Sequence, residues 1–76
     1  MEMRRLKTKI AKDLGRKIKK ERKVREKTQC EVAQKIGLHQ AAFSRIEAGT
    51  QDITAVEILL LCDAFKISIN DLMSKG

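Results

Sequence analysis

A chain of 76 residues has room for one small domain, which buries only about 60% of the surface its unfolded form exposes and gains from association. Two widely spaced cysteines, one histidine and no tyrosine or tryptophan supply neither a zinc ligand set nor a catalytic constellation, and no apolar run is long enough to cross a bilayer. The formal charge of +7 is uneven: residues 1–27 hold 13 Lys or Arg against 4 Asp or Glu, and residues 28–76 hold 4 against 6, so the positive field belongs to the N-terminal third and favours a polyanionic partner.

These limits predict a soluble cytoplasmic protein with reduced thiols, no enzyme activity, no metal, no cofactor and no second domain for a small ligand. With no proline, no period-two alternation and only Phe43 and Phe65 as aromatics, the chain is read as all-α. Residues 1–9 are assigned to a basic N-terminal extension and residues 10–76 to the domain.

Leu6, Ile10, Leu14 and Ile18 recur every four residues, which predicts an amphipathic first helix over about Thr8–Arg25. Gly15 interrupts it at a cost of ~1 kcal/mol against alanine. Arg22 continues the apolar stripe, where a charge needs either a partner or an escape to water. Charged Arg25–Glu26–Lys27 follow, without a glycine stop, so the helix is expected to end less cleanly and to run on.

Thr28 and Glu31 have the spacing of a capping box, and Val32, Ala33 and Ile36 then fall at helical intervals. Gly37 ends this second helix cheaply, because the left-handed conformation costs it no Cβ clash. A third helix runs over about 40–48, with Phe43 and Ile46 on its inner face, and stops at Gly49. Thr50–Asp52 is a polar loop. Thr54 and Glu57 open a fourth helix with inner residues Ile58, Leu61, Cys62 and Phe65. Ser68 and Asp71 open a short fifth one, from Ile69 to about Ser74.

The unit 28–49 therefore reads helix, sharp turn, helix, with Gln40, Ala41, Ser44 and Arg45 on the outward face of its second member. Gln and Arg are the side chains that form paired hydrogen bonds with adenine and guanine edges in the major groove. A short helix carrying them beside a tight turn has the design of a DNA-reading helix-turn-helix.

Gln29, Val32, Ala33, Ile36, Gly37, Leu38, Phe43, Ile46, Glu47 and Gly49 together resemble the lambda-repressor-like family (Cro and phage-repressor or XRE type). The likeness extends upstream through Leu14, Gly15, Ile18 and Arg22, and downstream through Leu61, Cys62, Phe65, Ile67, Ser68 and Leu72. It implies a compact five-helix domain that regulates transcription by binding double-stranded DNA. Glycine is common in the family at position 15 and usual at position 26, where this chain has Glu26; Lys27 stands where the family usually has an apolar residue.

The resemblance implies further roles. Arg22 pairs with Glu47, clamping the first helix to the third. Gln40, Ala41, Ser44 and Arg45 read bases. Gln29, His39, Thr50 and Gln51 lie toward the phosphate backbone, although His39 is a weak cap and a spectator role suits it equally. Leu60, Ile69 and Met73 are the expected homodimer surface, and the partner is a palindromic operator. Stand-alone members of this size include phage repressors, restriction–modification controllers and antitoxin-type regulators; Gln51–Thr54 weakly resembles the controllers. The competing reading is a protein-interaction or antitoxin-type helical module whose basic surface meets an acidic partner.

Overall fold

The computed structural model describes residues 2–74; Met1 of the N-terminal extension and Lys75–Gly76 of the domain lie outside the described residues. Five helices follow in chain order: α1 (Met3–Val24), α2 (Gln29–Lys35), α3 (Gln40–Ala48), α4 (Ala55–Phe65) and α5 (Ile69–Met73). No strand occurs among the described residues.

Three of the helices, α2, α4 and α5, start at the side-chain caps that the sequence places there. Thr28 Oγ1 accepts from the Glu31 N–H at 3.1 Å while the Thr28 N–H donates to Glu31 Oε1 at 2.9 Å, closing a reciprocal box. The backbone N–H of Thr28 and then the Thr28 side chain hold the Glu31 carboxyl below its usual range. Thr54 and Glu57 repeat the arrangement. Ser68 Oγ accepts from the Asp71 N–H at 3.1 Å, but the return bond expected from Asp71 is not made, so α5 has half a box.

Two boundaries differ from the sequence reading. α1 begins at Met3 rather than Thr8, so residues 3–9 form its first turns. It stops at Val24 instead of running on. Glu26 takes the left-handed conformation at φ 55°, and the Lys27 N–H reaches back to the Arg22 carbonyl at 3.2 Å. This is a Schellman end made without glycine. Lys66 does the same after α4, at φ 57°, with the Ile67 N–H on the Cys62 carbonyl at 3.1 Å.

The core is Ile18, Val32, Ala33, Ile36, Phe43, Ile46, Leu61, Cys62, Phe65 and Leu72, with Leu14, Leu38, Ile53, Ile58 and Ile67 packed around it. Burial pushes the Cys62 thiol up, so it stays protonated as a small apolar residue; Cys30 is exposed and unpaired. α1 packs on α3 and α5, and α2 packs on α3 and α4. The apolar stripe of α1 outruns this core: Ile18 is buried, Leu14 half-buried, and Leu6 and Ile10 are exposed.

Candidate nucleic-acid interface

The interface is set by how α3 is held. Gly37, at φ 73°, turns the chain after α2, and the Leu38 N–H returns to the Ala33 carbonyl at 2.9 Å. Buried Ala33 lies on α2, which packs against α3. On α3, Phe43, Ile46 and Glu47 face inward. Gln40, Ala41, Ser44 and Arg45 are all exposed and share the opposite face. Gly49, at φ 79°, ends the helix, and the Thr50 N–H caps it on the Arg45 carbonyl at 2.9 Å.

Glycine lets α1 pass close behind α3. A Cβ on Gly15 would stand 2.5 Å from the carbonyl oxygens of Ile46 and Glu47, and one on Gly49 would stand 2.6 Å from Lys12 Cγ. Both contacts lie at the C-terminal end of α3, so α1 backs this helix along its last turn.

A buried charge cluster fixes the same crossing. Arg22 is 8% exposed and Glu47 6%. Arg22 Nε donates to Glu47 Oε2 at 2.7 Å and Nη2 to Oε1 at 3.1 Å, a two-pronged pair. Arg22 Nη1 donates to the Lys27 carbonyl at 2.8 Å, and Gln29 Nε2 donates to Glu47 Oε1 at 2.9 Å. Among the described residues, no buried side-chain nitrogen or oxygen lacks a partner.

Three of the residues expected to face phosphate, Gln29, Thr50 and Gln51, make side-chain hydrogen bonds within the protein. One amide hydrogen of Gln29 is turned toward Glu47; a side-chain amide has a second donor, which this bond leaves free. The Thr50 hydroxyl donates to the Arg45 carbonyl at 3.3 Å, and Gln51 Oε1 accepts from Arg45 Nε at 2.9 Å. His39 is exposed at the N-cap of α3 and makes no side-chain cap bond. Leu60, Ile69 and Met73 are 40%, 49% and 49% exposed. Met73 also lines an apolar groove of about 780 Å³ with Met3, Leu6 and Ile10 of α1 and with Ile53 and Ile58.

Arg25 is a structural residue to which the sequence gives no role. Its Nε and Nη2 donate to the Phe65 carbonyl at 3.1 and 2.8 Å, its Nη1 pairs with Glu21 Oε1 at 2.9 Å, and its guanidinium lies 4.9 Å from the Phe65 ring centre. It thus ties the end of α1 to the end of α4. The hydrogen bond from Arg25, opposed by burial and aided by Lys17, holds the Glu21 carboxyl below its usual range. The one available signal was Glu21 and Arg25 four apart on a helix; nothing in the sequence points to the Phe65 carbonyl.

The cationic helix is only partly neutralised. Lys7 pairs with Asp52 at 3.0 Å, Lys17 with Glu21 at 3.3 Å, and Arg16 with Asp13. Exposed Lys9, Lys12, Lys19, Lys20 and Lys23 add to the field along α1.

A family model described as Helix-turn-helix matches residues 18–72. The chain is 32% identical over 62 residues to antitoxin PezA of Streptococcus pneumoniae, a match that covers 82% of this chain and 39% of the antitoxin's length. Its fold is similar to the crystal structure of the restriction–modification controller protein C.AhdI from Aeromonas hydrophila. There the TM-score is 0.77 at 24% identity, over 82% of this chain and 94% of the other. With five helices, a glycine turn between α2 and α3 and a polar face on α3, the chain belongs to the lambda-repressor-like, XRE-type family of helix-turn-helix DNA-binding regulators.

Proposed function

We propose that the chain binds double-stranded DNA sequence-specifically and regulates transcription as a two-fold homodimer on a palindromic operator. The observation that carries this reading is the exposed face of Gln40, Ala41, Ser44 and Arg45 on a helix whose opposite face is locked by the Arg22–Glu47 pair. A rigid helix with a polar outer face fits the major groove of B-form DNA.

In this reading Arg45 reads guanine through O6 and N7, and Gln40 reads adenine through N6 and N7. Ala41 meets a thymine methyl, and Ser44 a base edge. Gln29, His39 and Thr50 lie toward phosphates, which fix register without reading sequence. The lysines of α1 supply sequence-independent attraction that falls steeply with salt. Leu60, Ile69 and Met73 form the dimer contact, which sets the two recognition helices ~34 Å apart, one turn of the duplex.

The test is Arg45→Ala, assayed on a selected site and on random duplex. The expected loss is ~1–3 kcal/mol on the site and little on random DNA. Equal losses on both contradict the base-reading role.

A second reading draws on the apolar groove beside α1, rimmed by Arg4 and Lys7, and on the similarity to an antitoxin. An acidic protein segment with an apolar face suits that groove. Binding of that kind is insensitive to changes at Gln40, Ala41 and Arg45, which separates it from DNA reading.

A further inference from the structure

Arg45 and Gln51 are joined by a side-chain hydrogen bond across the end of α3. Arg45 Nε donates to Gln51 Oε1 at 2.9 Å. A guanidinium carries one N–H on Nε and four on its two terminal nitrogens, all in one plane. With Nε engaged, the edge formed by Nη1 and Nη2 is the one left for the paired acceptors of a guanine.

Gln51 can hold Arg45 because its own backbone is held. The left-handed turn at Gly49 brings the loop back, and Thr50 fastens it to the Arg45 carbonyl through both its N–H and its hydroxyl. On the other side, Lys7 of α1 grips the Asp52 carboxylate at 3.0 Å, and Ile53 packs on the core. The loop is thus tied to the last turn of α3 and to the second turn of α1. Lys7 also offsets a negative charge next to a loop that faces a polyanion in the proposed complex.

We infer that Gln51 is a positioning residue for Arg45: it fixes the guanidinium plane and leaves the Nη1–Nη2 edge to a base. An arginine on an exposed helix face otherwise samples many rotamers, and ordering it on binding costs affinity and blurs its geometry. Gln51 therefore contributes to sequence discrimination without contacting the base. The inference rests on the proposal that Arg45 reads DNA. Gln51 holds Arg45 through its acceptor oxygen alone, so its two amide N–H donors stay free for the phosphate role expected of it.

The experiment uses the full chain and three variants: Arg45→Ala, Gln51→Leu and Gln51→Glu. Each is titrated with a duplex selected by the wild type, with that duplex changed at each base pair, and with random duplex, at several salt concentrations. Arg45→Ala should lose tenfold or more of the discrimination at one base pair. Gln51→Leu should lose several-fold at the same base pair alone, with binding to random duplex and the salt slope unchanged. Gln51→Glu keeps an acceptor, so it should keep the discrimination while binding all duplexes more weakly. In the DNA-free protein, the Arg45 Nε–H resonance should move in Gln51→Leu.

Two results overturn the positioning role. One is an equal loss in Gln51→Leu on the selected and the random duplex, which marks a phosphate contact in place of positioning. The other is full discrimination in Gln51→Leu where Arg45→Ala has lost it. If Arg45→Ala itself discriminates like the wild type, base reading by Arg45 fails and the inference falls with it, a result distinct from both.

Discussion

Glu47 sits under three donors, two from Arg22 and one from Gln29, so the recognition helix is anchored through its own inward-facing carboxylate. A buried ion pair adds little stability over an apolar pair of the same shape, but removing one partner strands the other. Arg22→Met or Glu47→Gln should each cost ~3–5 kcal/mol in urea unfolding, a large part of the stability of so small a domain. The double variant should cost less than the two losses added; additive losses contradict the coupling. Arg22 stood out in the sequence as a charge on an apolar stripe, and the family resemblance supplied Glu47. Arg25 did not stand out, because its acceptor is a backbone carbonyl 40 positions on, and carbonyls leave no mark in a sequence.

At the scale of helices, the informative residues are those where two backbones meet or a helix must stop. Gly15 looked like a local weakness in α1; its cause is the pair of carbonyl oxygens of α3 that a side chain would strike. Gly15→Ala raises helix propensity by ~1 kcal/mol but should still destabilise the protein, by ~1–3 kcal/mol, because backbone atoms cannot step aside. Chemical denaturation checks the sign. Glu26 shows the opposite case: a charged residue holds a conformation that costs an L-residue ~1–2 kcal/mol. Glu26→Gly should stabilise by ~1 kcal/mol and raise Tm by about 4–8 °C.

Capping boxes made the starts of α2 and α4 legible, since both partners lie three residues apart in the sequence. The end of α1 was not legible in the same way. Without a glycine the sequence predicts a ragged finish, yet the Arg22 carbonyl accepts from Lys27 and the Arg22 side chain donates to the Lys27 carbonyl, which together force a sharp one. The start of α1 is not legible either: Met3, Leu6 and Ile10 continue the helical period, but they are exposed and lie outside the core that such a period ordinarily marks.

Among the described residues, exposed apolar side chains lie on α1 beside its cations as well as on α4 and α5. The cations run along α1, the proposed reading face is on α3, and Leu60, Ile69 and Met73 remain exposed on α4 and α5. If the latter three form the dimer contact, Leu60→Glu or Ile69→Glu should shift the protein to monomer in sedimentation equilibrium and weaken binding to a two-half-site duplex, while each single half-site binds as before. Unchanged mass in both variants places the contact elsewhere.

In the proposed function, the outer face of α3 distinguishes base pairs. The most direct measurement is selection of bound duplexes from a random-sequence pool with the full chain, at a salt concentration that suppresses non-specific binding. The expected result is enrichment of one inverted repeat with half-sites about 10 base pairs apart, altered at a single pair of symmetric positions by Arg45→Ala. Recovery of an unenriched pool, with every duplex held alike, would contradict it.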